Sequence, residues 1–483
     1  MELALTYDDV LLVPRHSDVR SRRHCDTSTR LTRQVSLAIP IVSANMDTVT
    51  EWRLAVAMAL EGGIGIIHRF MTIEQQAAEV SRVKCPESVV VRDVQTLAPE
   101  HTLKDAWDLL ARSEATSVLV VERDHLVGIL TVRDLLFEDD PDKPIGAVMT
   151  RGAQLVTAPV GTSLDEAKRL LHEHRIEKLP LVDEQGRLRG LITARDLMRV
   201  YQHPRASRDA TGRLRVGAAV GVVGDYRERA EALVAAGADV LVVDIAHGHA
   251  EHALKACRAL KQRFPDVDLI AGNVATAEGT TDLIATGVDA VKVGVGPGAA
   301  CTTRIVTGVG VPQLTAVLNC VRAAAPHDVP IIADGGVRAS GDVAKALAAG
   351  AATVMVGSLL AGTEESPGAT VLRDGVRYKV YRGMASESAA IDRYRRLSLG
   401  IDQERFDARV PEGVETVVPY RGQVTDVLFD LTGGLRSAMS YLGARCLREF
   451  VEHAEFVRVT GAGRYESLPH AATRAARTAP SAE

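Results

Sequence analysis

The chain has 483 residues, 46% of them hydrophobic but only 4% aromatic, and a formal charge of −5. That length suits one large domain and a smaller one, and the acidic balance, with arginines scattered rather than striped, excludes a nucleic-acid scaffold. Six widely spaced cysteines without a C-x-x-C pair exclude a zinc ribbon or disulfide framework and favour a reducing compartment.

The first residues, "MELALTYDDVLLVPRHS", carry acids where a signal peptide needs positive charge. No apolar run reaches the length of a membrane span, so a cytoplasmic protein with no membrane partner is expected. Short β-branched runs bounded by glycine or polar residues then predict strands. In order they are "IPIVSA" (39–44), "IGIIH" (64–68), "RVGAAVGV" (215–222), "VLVVDIA" (240–246), "DLIAGNV" (268–274), "AVKVGVG" (290–296), "VPIIADGG" (329–336) and "TVMVGS" (353–358). Helical stretches such as "YRERAEALVAAG" and "SGDVAKALAAG" lie between most of them. Abundant Ala, Val and Gly suit parallel strands buried on both faces. The expected fold is α/β, a (β/α)8 TIM barrel. A doubly wound open sheet is the alternative, but no G-x-G-x-x-G turn follows the first strand.

The strand count closes only when residues from about 86 to 203 are set aside, and that stretch repeats itself. "TLAPEHTLKDAWDLL" (96–110) parallels "TAPVGTSLDEAKRLL" (157–171), and "LVGILTVRDLL" (126–136) parallels "LRGLITARDLM" (188–198). Each half reads strand, amphipathic helix, two strands, helix. The pair resembles tandem cystathionine-β-synthase (CBS) modules, which bind adenine or guanine nucleotides. The resemblance implies that Thr131 with Asp134, and Thr193 with Asp196, hold a ribose; a spacer that binds nothing is the other reading. The expected domains are 1–87 (barrel, first part), 88–202 (inserted tandem CBS domain) and 203–483 (barrel, second part).

Active sites of such barrels sit where strands end. The residues there are Asn45, Met46 and Asp47; His68; Asp244 and His247; Asn273; Asp334, Gly335 and Gly336; and Gly357 with Ser358. Each alone has a structural explanation, such as a satisfied histidine or a tight turn. Together, glycine-rich loops with exposed N–H groups suit a phosphate, and Asp334 suits ribose hydroxyls. Among these rim segments lies "GVGPGAACTTRIVTGVGVPQ" (294–313), a thiol in a glycine-rich run that is costly to order.

That run resembles the catalytic loop of the IMP dehydrogenase/GMP reductase family. "LTYDDVLLVP", "SANMDTVTE", "GNVATAE", "IIADGGV", "VGSLLAGTEESPG", "YRGMAS" and "GGLRSAMSYLGA" resemble its other blocks. The resemblance implies that Cys301 attacks C2 of a purine nucleoside monophosphate and that hydride moves between that carbon and a nicotinamide. Thr303 and Glu412 would support proton transfer. Asp334, Gly336, Gly357, Ser358 and Tyr381 would hold the ribose phosphate, with Met46, Gly383, Met384 and Arg409 completing the substrate site. Asp244, Asn273 and Gly294 would face the cofactor, and carbonyls of Gly296, Gly298 and Cys301 a monovalent cation such as K+. A homotetramer or octamer is implied, as are regulatory purine nucleotides on the CBS pair. Family members usually carry serine where this chain has Ala299, which removes one neutral hydrogen bond of about 0.5–1.5 kcal/mol to phosphate.

The two family reactions share the thiol adduct. A dehydrogenase then hydrolyses it with water activated by a flap Arg-Tyr pair; a reductase releases ammonia and needs no such water. Here Arg393-Tyr394 stands farther before Glu412 than in typical dehydrogenases and "RYFQ" has become "RYRR", so the pair is expected to fall short of the adduct. Arg409, three residues before Glu412, together with Asn45 and "EFVRVT" (455–460), is reductase-like; "VPEGVE", "TRIVTGVGVPQ" and the CBS pair are dehydrogenase-like. The sequence reading favours NADPH-dependent reduction of GMP, or of a guanine-like nucleotide, to IMP. The alternatives are NAD-dependent oxidation of IMP to XMP and a nucleotide-binding regulatory paralogue with weak chemistry.

Overall fold

The computed structural model describes residues 3–84, 90–91, 94–112, 115–396 and 410–467. The chain divides into two compact units, one comprising 1–86, 205–210 and 214–483, the other 87–204 and 211–213.

The larger unit is a closed eight-stranded barrel. Its strands are β1 (Ile41–Ser43), β2 (Ile64–Ile67), β3 (Val216–Val220), β4 (Val240–Asp244), β5 (Asp268–Val274), β6 (Ala290–Val293), β7 (Ile331–Asp334) and β8 (Thr353–Val356). Every neighbouring pair is parallel, and β8 returns to β1 through Val354 opposite Ile41. The strands are buried over nearly all their length, which is why each reads as a continuous apolar run rather than an alternation. All eight lie within the segments expected from sequence. Several are shorter at the C-terminal end, because residues there turn into rim loops through glycines at positive φ, such as Gly294 and Gly335.

Amphipathic helices cover the barrel: α1 (Trp52–Leu60), α2 (Ile73–Lys84), α3 (Tyr226–Ala235), α4 (Glu251–Arg263), α5 (Ala277–Ile284), α6 (Gln313–Ala324) and α7 (Ser340–Ala348). At α5 the Thr276 hydroxyl accepts from Gly279 N at 3.1 Å and satisfies one of the free amides at the helix start. The eighth position is filled by α8 (Val424–Tyr441), which packs against α7 and α1. Between β8 and α8 the chain forms an antiparallel sheet of Thr370–Arg373, Val376–Arg382 and Glu415–Pro419. This sheet carries the loops that lean over the barrel mouth.

The smaller unit shows the repeat as two four-stranded sheets. The short strand Val90–Val91 joins the second repeat's sheet, and Thr150–Arg151 joins the first repeat's sheet. This exchange ties the halves together, with Leu119, Ile129 and Leu191 buried between them. Thr131 and Asp134 bond to each other as a capping box: Oδ2 of Asp134 accepts from Thr131 Oγ1 at 2.7 Å and from Thr131 N at 2.8 Å. Thr193 ends the strand Leu188–Thr193, and the Asp196 side chain lies outside the described residues.

Candidate active site

The C-terminal mouth of the barrel opens into a cavity of about 710 Å³. Cys301 stands on its wall, on the loop after β6. That segment is not loop throughout, as the sequence reading had it, because Thr303–Thr307 forms a short helix. Arg304 braces the loop by donating to the carbonyls of Val295 and Val311. Gly294 begins it at φ +154°, and a Cβ there would lie 2.0 Å from the carbonyl oxygen of Asp334, so only glycine fits.

The thiol heads a proton chain. Cys301 Sγ donates to Thr303 Oγ1 at 3.2 Å, and Thr303 Oγ1 donates to Glu412 Oε2 at 2.8 Å. Glu412 comes from 109 residues farther along and is held by backbone: Thr302 N donates to its carbonyl at 3.0 Å, and its own N–H donates to Ala385 O at 3.1 Å. Val414 N donates to Ala300 O and Gly383 N to Val414 O, each at 3.0 Å, which sews the cysteine loop to the loops leaving the three-stranded sheet. A thiol, a hydroxyl and a carboxylate in series can move a proton to or from a group bound at sulfur.

In the same cavity, four neighbouring strands present a charged cluster. Lys292 of β6, almost fully buried, donates to Asp334 Oδ2 of β7 at 2.6 Å and lies 3.1 Å from Asp244 Oδ1 of β4. It also bonds Asn273 Oδ1, and Asn273 Nδ2 donates to Asp334 Oδ2 at 2.9 Å. A bulge in β5 next to Asn273 turns that side chain inward. Burial alone would lower the lysine pKa; Asp334 and Asp244 outweigh it and hold the ammonium charged. Burial likewise works to raise Asp244, but Lys292 and Arg69 keep it below the usual carboxylate range. Burial pushes the Tyr381 hydroxyl up, with Asp334 and Cys301 adding to the effect.

Most of the predicted site residues converge here. Cys301, Thr303, Glu412, Met46, Asp334, Tyr381, Gly383, Met384, Asp244, Asn273, Gly294, Gly296 and Gly298 all line the one cavity. Gly357 stands just behind, where a Cβ would meet Tyr381 OH at 3.3 Å and Met46 Sδ at 3.5 Å; Ser358 opens the short helix that follows. Gly336 lies against the Tyr7 ring. Arg409 lies outside the described residues.

Other rim candidates have structural partners. His68 is fully buried between Glu51 and the Phe70 amide. Asp47 accepts from Arg382, which also bonds Asp392 and so fixes the loop carrying Met384. His247 stands edge-on to His249.

The flap residue Arg393 is one of the residues lining the cavity, with its guanidinium carbon 5.1 Å from the Phe70 ring centroid. The helix Glu387–Arg396 starts soon after the Met384 loop and carries this residue to the cavity wall. The sequence reading also missed Lys292, Arg69 and Phe70. A lysine inside an otherwise apolar strand run was the available signal for Lys292, since an unpaired ammonium is not left there.

Comparison with known proteins agrees with this geometry. Residues 4–470 match the family model described as "IMP dehydrogenase / GMP reductase domain". The chain is 54% identical over 468 residues to inosine-5'-monophosphate dehydrogenase of Nitrosopumilus maritimus, covering 96% of this chain and 98% of that one. It is also 54% identical over 469 residues to the Aquifex aeolicus protein of the same name, covering 96% and 95% of the two chains. Among solved structures, a cysteine-to-alanine variant of GMP reductase from Trypanosoma brucei in complex with guanosine 5'-monophosphate is 45% identical. It superposes with a TM-score of 0.88 over 98% of this chain and 99% of that one. The chain therefore belongs to the IMP dehydrogenase/GMP reductase family, NAD(P)-dependent oxidoreductases of purine nucleotide metabolism.

Proposed function

We propose that this enzyme oxidises IMP to XMP with NAD and water, through a covalent purine adduct on Cys301. The observation that carries the direction is Arg393, which lines the same cavity as Cys301 and Glu412, where a hydrolytic step needs a group to activate water. The identity of 54% to two IMP dehydrogenases supports the same direction. This departs from the reductase direction favoured by sequence, whose main argument was that Arg393 could not reach.

As the Cys301 sulfur adds to C2 of the base its proton passes through Thr303 to Glu412, and the C2 hydrogen leaves with its electron pair as hydride. The nicotinamide, when bound, supplies the hydride acceptor. Water then adds its oxygen to C2 and releases one proton to solvent, the C2–S bond breaks, and the sulfur recovers its proton through Thr303 from Glu412. Asp334 takes ribose hydroxyls, while Gly336, Gly357, Ser358 and Tyr381 frame the phosphate and Met46 and Met384 the base. Asp244, Asn273 and Arg69, polar groups of the same cavity, suit the cofactor's amide and ribose. The carbonyls of Gly296, Gly298 and Cys301 offer a hard-oxygen set for K+. Gly298 O already accepts from Cys301 N at 3.1 Å, so that carbonyl would serve both. The second unit, with its capped Thr131–Asp134 and the matching Thr193–Asp196, takes regulatory purine nucleotides, and the barrels assemble as a tetramer or octamer.

A second reading, NADPH-dependent reduction of GMP to IMP with release of ammonia, is supported by the whole-chain likeness to the Trypanosoma brucei GMP reductase. The same Thr303–Glu412 pair would then protonate the leaving amine. Absorbance of the reduced cofactor decides between them, with IMP plus NAD in one cuvette and GMP plus NADPH in the other. The dehydrogenase reading expects NADH to accumulate with IMP and Arg393→Ala to slow it by roughly 100-fold or more. NADPH consumption with GMP, unaffected by Arg393→Ala, would replace it with the reductase.

A further inference from the structure

We propose that Lys292 is a positioning residue that couples the nucleotide side of the cavity to the cofactor side. The inference rests on the reading above, in which Asp334 meets the substrate ribose and Asp244 with Asn273 faces the nicotinamide.

Three rim side chains on three different strands converge on one ammonium, which is 2% exposed. Among the described residues, both bonds to the Asp334 carboxylate, from Lys292 at 2.6 Å and from Asn273 at 2.9 Å, fall on Oδ2. The other oxygen of that carboxylate is left to accept from a hydroxyl. An ammonium has three protons, and here they are divided among Asp334, Asp244 and Asn273. When a hydroxyl donates to Asp334, that carboxylate needs less from Lys292, and more of the ammonium's field falls on Asp244 and Asn273. The reverse holds when a ligand engages Asp244. Two ligands that bias one shared group are linked, and the linkage is reciprocal. The remaining charged or titratable groups facing the cluster are Arg69, which acts on Asp244, and Tyr381 and Tyr7, whose hydroxyls feel Asp334. Asn45 adds a neutral hydrogen bond to Asp244. Without Lys292 the two carboxylates would face each other with Arg69 as the nearest cation, and at least one would take up a proton at higher pH.

The test is calorimetric and needs no turnover. In full-length protein carrying Cys301→Ala, IMP and GMP are titrated with and without saturating NAD or NADPH, from pH 5.5 to 8. With Lys292 present, the dinucleotide should change nucleotide affinity by about 5-fold or more, and affinity should follow only the titration of the nucleotide's own phosphate, near pH ~6. Lys292→Met should bring the coupling factor to about one and make nucleotide binding weaken more steeply as pH falls; Lys292→Arg should restore the profile of the Lys292 protein. If Lys292→Met does not fold, Lys292→Gln, which removes the charge, keeps a hydrogen-bond donor and leaves both carboxylates in place, takes its place. Coupling near one with Lys292 intact, coupling unchanged in the Met variant, or superimposable pH profiles would overturn the proposal. Failure of both IMP and GMP to bind would instead remove the functional reading on which it rests.

Discussion

Replacing Thr303 by valine keeps a β-branched side chain at the start of the short helix and deletes only the hydroxyl between Cys301 Sγ, at 3.2 Å, and Glu412 Oε2, at 2.8 Å. Two effects of different size follow. Loss of a hydrogen bond to the Glu412 carboxylate costs about 1.5–3 kcal/mol, and it is lost whether or not nucleotide is bound. Loss of the proton path removes a contribution of about 10²–10⁴-fold that exists only while the C2–S bond forms and breaks. The nucleotide KM should therefore change by no more than ~3-fold while kcat falls by ~100-fold or more, the pattern of an interaction made in the transition state. Steady-state kinetics combined with intact-mass detection of the adduct on Cys301 would separate formation from release. A Thr303→Val enzyme within ~10-fold of wild type in kcat would refute the relay, since no smaller loss is compatible with general acid–base catalysis through that hydroxyl.

Gly294→Ala should prevent correct folding or lower the unfolding midpoint sharply, because its Cβ would lie 2.0 Å from a backbone oxygen. Gly308→Ala, left-handed but with nothing within 4 Å, should cost only about 1 kcal/mol in the same thermal melt. Burial pushes the thiols of Cys257 and Cys320 up to about 12 and about 11, so iodoacetamide at pH 8 should label Cys301 and leave both unmodified in a peptide-mass map. Because these pKa values are raised above their unfolded value near ~8.5, the stability they contribute is complete below that pH and is lost as pH rises towards 11–12. Urea midpoints measured at pH 8 and 10 should fall accordingly, and Cys257→Ala should flatten the decline.

Much of this molecule was decided by local sequence. The eight barrel strands were legible because strands buried on both faces must be apolar throughout, and the glycines that end them mark the turns to the rim. The repeat in the smaller unit was legible from self-similarity alone, and the thiol, its threonine and the Asp334 turn from residue types placed just past strand ends. Tertiary structure decided what distance along the chain could not convey. Glu412 reaches Thr303 only because three-stranded pairing folds a remote loop over the mouth. Arg393 enters the cavity because a helix, rather than an extended link, follows the Met384 loop. Lys292 looked like an ordinary strand charge until the barrel closed. The physical reason is that each side chain meets partners from segments far away in the chain, and for the buried Lys292 a charge is tolerated only where partners from other strands converge on it. Such convergence is a property of barrel closure that no single segment contains.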